Sequence, residues 1–341
     1  VPDPEQQERM LSILRLATGM VEGANGNLAE VRQSIIAGLS AMEKPQSAEG
    51  DDPRPLWEII NDHLATIERR QNGERWAISS GLPWIDRMTG GWHRGEFIVV
   101  GGASSAGKSV LGLQFARTAA MRGYRVLYVL LEMTTEQMID RVLSSVAGVN
   151  FRRLADGKLD SREWKSIFDA AMQIHEQKVH IVIDDRCPAT LAAIEERARR
   201  AATNGLDMVV VDYVGEIAEE PGRQTRVEHV GRIATGLRTL AKQLKIPVIA
   251  LAQLNREAGT GKPSFQSHLG ESKRLGDTAD VALLIWRPNR LVDGTQPAEE
   301  VIEIGVDKQR NGPVGWAEFT LVGAQMTVRE RASTAQWTGV A

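Results

Sequence analysis

From Ser80 onward, short apolar runs alternate with stretches whose apolar positions recur every three to four residues. That is the pattern of buried strands joined by helical crossovers. It predicts strands at 97–100, 125–131, 179–184, 208–212, 247–252, 281–286, 301–308 and 316–321, and helices at 108–121, near 134–146 and 163–176, at 189–203 and at about 225–244. One α/β domain with a central, mostly parallel sheet accounts for residues 80–330, with no internal repeat. Ahead of it the spacing is helical: 6–20 carries Leu11 and Leu14, and 28–42 carries Val31, Ile35 and Leu39, so 1–44 reads as a small helical N-terminal segment. Residues 45–79 are a linker, rich in proline at first, that contains an amphipathic helix at 55–69. Its stripe of Leu56, Ile59, Ile60, Leu64 and Ile67 has no core of its own, so it folds back on this chain or docks on a neighbouring subunit. The oligomeric reading below favours the neighbour, and 331–341 is a tail.

Composition narrows this only a little. With 341 residues and 42% hydrophobic content, the chain can bury one large core and a small appendage. The net charge of −3 excludes a global field for polyanions, so any nucleic-acid contact must come from local basic loops. The single Cys187 cannot form an internal disulfide, which fits a reducing cytoplasm. No apolar run approaches the roughly 20 residues of a membrane span, and no signal peptide is visible. The chain begins at Val1 rather than Met, as a truncated or processed product would.

The chemistry gathers where expected strands end. Residues 102–109 read G-x-x-x-x-G-K-S between a strand and a helix, the context in which backbone N–H groups cradle a polyphosphate at a helix N-terminus. Gly102, Ser105, Ala106, Gly107, Lys108, Ser109 and Val110 form the expected ATP cradle, with Lys108 at the terminal phosphates and the Ser109 hydroxyl on Mg²⁺. Glu132, Asp212 and Gln253 each stand at a strand's carboxyl end, where ligands of open α/β sheets collect. Asp212 is placed to hold Mg²⁺ with Ser109, Glu132 to polarise an attacking water, and Gln253 to sense the γ-phosphate. A turn cap, a helix cap and a structural amide are the plainer roles for these three. Lys308 and Arg310 are two apart on an expected strand and so share a face, as a pair awaiting an anion or as an ordinary charged hairpin tip.

Two basic loops complete the set. The first carries Arg223 and Arg226, and the helix after it adds Arg232, Arg238, Lys242 and Lys245. The second, 255–275, carries Arg256, Lys262, Lys273 and Arg274 with Phe265 as its one aromatic. Basic side chains with few aromatics suit tracking of a single-strand backbone more than base stacking, and solvated surface loops are the alternative.

Together these segments resemble the C-terminal ATPase domain of the DnaB-type replicative hexameric helicases, a RecA-like P-loop fold. The resemblance runs through Gly81 to Gly91, Gly102 to Ser109, Leu131-Glu132-Met133, Val211-Asp212-Tyr213, Ala252 to Arg256, Ala279-Asp280-Val281 and Lys308 to Gly315. It implies Lys108, Ser109 and Asp212 for Mg-ATP, Glu132 as catalytic base, Gln253 as sensor, and Lys308 with Arg310 completing a neighbour's site. It also implies a homo-oligomer, of six subunits in that family, with single-stranded and forked DNA as partners and 5′ to 3′ travel. Helix 55–69 is similar to the family's linker helix, which packs on the adjacent subunit. Gly270 stands where the family carries an Arg before Glu271-Ser272, which leaves that DNA contact open to Lys273 or Arg274. Most of the family's N-terminal domain is absent, so primase or loader binding stays open. The competing readings are a recombinase-like or branch-migration ATPase, and a non-motor ring ATPase that binds protein.

Overall fold

The computed structural model describes residues 54–72, 77–218, 225–254, 262–265, 271–288 and 299–331. The expected helices within 1–44 and the tail after Arg331 lie outside the described residues. The chain divides into two compact units, Val1–Arg69 and Arg70–Ala341. At the end of the first, helix α1 (Leu56–Gln71) leaves Leu56, Trp57, Ile59, Ile60, Leu64 and Ile67 between 45% and 72% exposed.

In the second unit, the chain runs β1 (Ala77–Ile78), α2 (Pro83–Thr89), β2 (Trp92–His93), β3 (Phe97–Gly102), α3 (Lys108–Ala120), β4 (Val126–Leu130), α4 (Thr135–Ala147), α5 (Phe151–Ala155) and α6 (Ser161–Glu176). It continues with β5 (Ile181–Asp184), α7 (Leu191–Ala202), β6 (Met208–Asp212), α8 (Arg226–Leu244), β7 (Val248–Gln253), α9 (Glu271–Thr278), β8 (Val281–Trp286), β9 (Glu300–Gln309), β10 (Gly315–Val322) and β11 (Thr327–Glu330). Nine strands form one sheet in the order β11-β10-β9-β8-β3-β7-β6-β4-β5, and β1 pairs with β2 apart from it. The six strands from β8 to β5 are parallel, while β9, β10 and β11 return antiparallel.

The parallel strands are buried on both faces, which is why they read as continuous apolar runs. Ile98 and Val100 pack on one side with Ile85, Leu111, Phe115 and Met138 of α2, α3 and α4. Phe97 and Val99 pack on the other with Ile194, Val230, Ile233 and Leu275 of α7, α8 and α9. Caps set the helix starts: Thr134, Asp160 and Thr225 each form a capping box, and a lost cap costs about 1 kcal/mol.

Elements without a sequence signal are short. The two-residue strands, the seven-residue α2 and the five-residue α5 are too brief to show a period. Helix α9 lies in the Gly- and Ser-rich stretch that reads as loop. Strand β11 has only four residues and is fixed from a distance: the buried Gln114 side chain donates to Val328 O at 2.9 Å and accepts from Val328 N at 2.8 Å.

Candidate active site

The phosphate loop joins β3 to α3. Gly107 has φ +106°, a conformation open to glycine, and Ser105 is left-handed at φ +57°. Those turns send the chain directly into a helix whose first N–H groups point back at the loop. Lys108 is 8% exposed, and its Nζ donates to Gly102 O at 3.1 Å and Ala103 O at 2.9 Å. An ammonium has three donors, so the arrangement aims Lys108 over the loop with one N–H left for an anion. Burial lowers its pKa, and the carboxylates of Glu132 and Asp212 partly restore it.

Asp212 closes the site from β6. It is 1% exposed; its Oδ1 accepts from Ser109 Oγ at 3.1 Å and its Oδ2 from Tyr128 OH at 2.9 Å. Burial raises the carboxyl pKa, and the bonds from Tyr128 and Ser109 oppose that rise. A hydroxyl beside a carboxylate is a hard-oxygen pair that fits Mg²⁺, which is commonly bound by one or two protein groups, phosphates and waters. Among the described residues no cluster of three His, Cys, Asp or Glu offers a separate metal cage. Sequence reasoning misses Tyr128; a tyrosine inside the wholly apolar run 126–130 is the available signal.

Glu132 is exposed just beyond β4 and makes no hydrogen bond or ion pair among the described residues. Thr134, not Glu132, caps α4. Gln253 ends β7 in register with Gly102, at the mouth of the phosphate loop, and is also exposed. Arg287, which follows β8, donates to Ser105 O at 2.5 Å and is paired with Glu300 through both arms of its fork. It pins the loop's apex, and no motif in the sequence marks it.

Lys308 and Arg310 are elsewhere. Because β9 runs antiparallel to β8, Lys308 pairs with Ala282 near the start of β8, while the phosphate loop lies beside Ile285 near its end. The length of β3 separates the two edges by about 17 Å. Lys308 Nζ donates to Gly276 O at 2.8 Å and Asp277 O at 2.7 Å, the last turn of α9. Its pKa is lowered by burial first and by Arg310 second. Arg310 Nε meets Asp280 Oδ1 at 2.8 Å, Arg238 Nη2 reaches the same oxygen at 3.1 Å, and Asp280 Oδ2 accepts from Phe97 N at 3.1 Å. Asp280 thus ties the finger segment to the amino end of β3. This edge opens into a cleft of about 610 Å³ lined by Arg94, Glu96, Lys242, Asp280, Arg310 and Asn311.

The expected polymer contacts divide. Arg223 and Arg256 lie outside the described residues. Arg226 starts α8 and donates to Gly215 O at 3.1 Å. Glu271 and Ser272 open α9, where Lys273 and Arg274 are exposed. Lys262 is ion-paired with Glu303, with its Nζ 5.6 Å and 5.2 Å from the ring centroids of Trp286 and Trp316. Two expectations are corrected. Helix α8 crosses from the carboxyl to the amino edge, so Arg238 and Lys242 face the cleft instead of extending the loop's basic patch. Phe265 is 3% exposed and is a core residue, not a stacking platform.

A family profile described as DnaB-like helicase C terminal domain matches residues 77–329. The replicative DNA helicase DnaB of Buchnera aphidicola subsp. Acyrthosiphon pisum is 32% identical over 279 residues, 80% of this chain and 60% of that protein. A solved structure of a helicase-type ATPase domain superposes with a TM-score of 0.72 at 24% identity, over 82% of this chain and 100% of that one. The structure of a DnaB-like replicative helicase and its interactions with primase gives 0.71 at 23% identity, over 96% of this chain and 77% of that one. At those identities the two structures establish the fold. The chain spans 60% to 71% of the lengths of the replicative helicases it matches.

Proposed function

The chain belongs to the DnaB-like helicase C-terminal domain family, which makes it a P-loop ATPase, and from that premise we propose that it is the motor of a replicative DNA helicase. Copies assemble into a ring, six in the family's pattern, hydrolyse ATP between subunits and travel 5′ to 3′ along one strand while excluding the other. The observation that carries this reading is the separation of the phosphate loop from Lys308 and Arg310 on opposite edges of one sheet. A head-to-tail contact brings the second edge of one copy to the first edge of the next, as closed rings require. Apolar surface supports the same assembly: α1 carries its stripe, and α6 leaves Trp164, Phe168 and Met172 exposed one turn apart.

In each interface Gly102 to Val110 hold the triphosphate and Lys108 neutralises its end. Mg²⁺, held by Ser109 and Asp212, would neutralise developing phosphate charge when bound. Glu132 orients the attacking water and takes its proton, assistance typically worth about 10²–10⁴ in rate. Arg310 and Lys308 of the neighbour meet the charge on the transferring group. Gln253 registers loss of the γ-phosphate at the head of the segment 255–270. That segment, with Lys273, Arg274 and the region of Arg223 and Arg226, holds the DNA backbone. Primase is a partner to test, since a DnaB-like helicase structure of the same fold has been described with it. The cytoplasm is the expected site of action; among the described residues no helix is long and apolar enough to cross a membrane.

Strand separation of a forked duplex with a free 5′ tail, against a 3′-tailed control, tests the reading. Unwinding that needs both ATP and the 5′ tail is the expected result. ATPase stimulation by single-stranded DNA without unwinding would favour the recombinase-like reading. DNA binding with no salt dependence would remove the channel assignment.

A further inference from the structure

One joint ties the segment after Gln253 to both edges of the site. Phe265 wedges between two glycines: a Cβ on Gly101, one residue before Gly102, would come 2.6 Å from its ring, and one on Gly276 in α9 would come 2.5 Å from its Cβ. No larger residue fits at either place without displacing Phe265. Its backbone N–H donates to Asp307 Oδ2 at 2.9 Å, and the Ser264 hydroxyl donates to the same oxygen at 3.3 Å. Asp307 is the unpaired residue of a bulge, since Val306 pairs with Leu283 and Lys308 with Ala282. A bulge re-aims the side chain it carries, here out of the strand's alternation and onto the loop. The next residue is Lys308, whose ammonium holds the last turn of α9. The segment is therefore fastened to β9 on both sides of 266–270.

We propose that Asp307 is a positioning residue that couples the DNA-holding segment to the finger strand, through Ser264 and the Phe265 wedge. The proposal rests on the DNA-motor reading above. When a neighbour's nucleotide engages Lys308 and Arg310, β9 shifts with them. Asp307, one residue away, moves Phe265, and Phe265 bears on β3 and α9 together. Nucleotide occupancy in one subunit is thus felt in the strand grip of the next without passing through Gln253.

The test uses the full chain and compares ATP turnover with and without oligo(dT). Asp307→Ala is expected to hold basal kcat and KM for ATP within about twofold while stimulation falls about fivefold or more, the range of measured couplings between sites. Asp307→Asn keeps an oxygen in the accepting position and is expected to retain most of the stimulation. Phe265→Leu, which preserves apolar fill but not the wedge, is expected to behave like Asp307→Ala. Wild-type stimulation in Asp307→Ala or Phe265→Leu overturns the coupling. So does an Asn variant as impaired as Ala, because charge near Lys308 would then be the cause. A wild-type chain that oligo(dT) does not stimulate removes the DNA-motor reading, and the coupling with it.

Discussion

The two edges of the sheet hold their cations in opposite ways. At the carboxyl edge, Lys108 is buried against its own loop and faces the carboxylates of Glu132 and Asp212, so its charge is enclosed where a phosphate chain would lie. At the amino edge, the Arg310 side chain is 49% exposed and rests on Asp280, so its charge is presented outward. One edge receives a ligand; the other reaches for one. The guanidinium that does touch the phosphate loop, that of Arg287, is committed to Glu300 and Ser105. Each edge is half of a site, and apposition of two copies makes the whole.

Arg310→Ala puts the heaviest load on this contrast. If the guanidinium stabilises the transferring phosphoryl group, kcat is expected to fall about 10³-fold or more, while nucleotide affinity changes little. Because the lesion and the loop lie on different edges, mixing with Lys108→Ala subunits should regenerate intact interfaces and recover some turnover. Mixed rings that stay inactive would count against action in trans. Glu132→Gln comes next and probes the receiving edge alone. It keeps shape and removes the base, so ATP binding should persist with turnover down about 10²-fold or more. Undiminished turnover would reject Glu132 as the base.

The same contrast explains what the sequence makes legible. Residues 102–109, Asp212, Glu132 and Gln253 can be read because each belongs to a local grammar: a strand, then a polar residue, then a helix or turn. The parallel strands are equally plain, since burial on both faces leaves unbroken apolar runs. The amino edge is assembled from residues far apart in the chain. Asp280 draws together Phe97, Arg238 and Arg310, and no spacing rule links those positions. Arg238 reads with the basic loop because it shares a helix with Arg226, yet a helix of 19 residues spans the sheet and carries its two ends to different edges. Phe265 reads as a loop aromatic because its two glycine neighbours come from β3 and α9. Tyr128 and Arg287 likewise act across strands, on Asp212 and on Ser105.

The smallest expected effect is also the finest probe of the receiving edge. Burial raises the Asp212 pKa above that of a free carboxyl, and the Tyr128 phenol is one of the two bonds that hold it down. Tyr128 stays protonated across any useful assay range, because its own burial and the adjacent carboxylate push its pKa well above 10. Turnover requires ionised Asp212 for the metal, so activity falls as pH drops through the Asp212 pKa, and that limb lies higher than for an ordinary aspartate. Tyr128→Phe removes a donor that favours the charged form and leaves burial in place. The pKa therefore rises further, and the acid limb should move up by about one pH unit, the worth of one hydrogen bond to a buried charge. At alkaline pH, where Asp212 is ionised in both proteins, turnover should differ only a few-fold. An acid limb that stays in place in Tyr128→Phe would mean that Asp212 ionisation does not set it, and would move the pH control of this edge to a group other than the metal carboxylate.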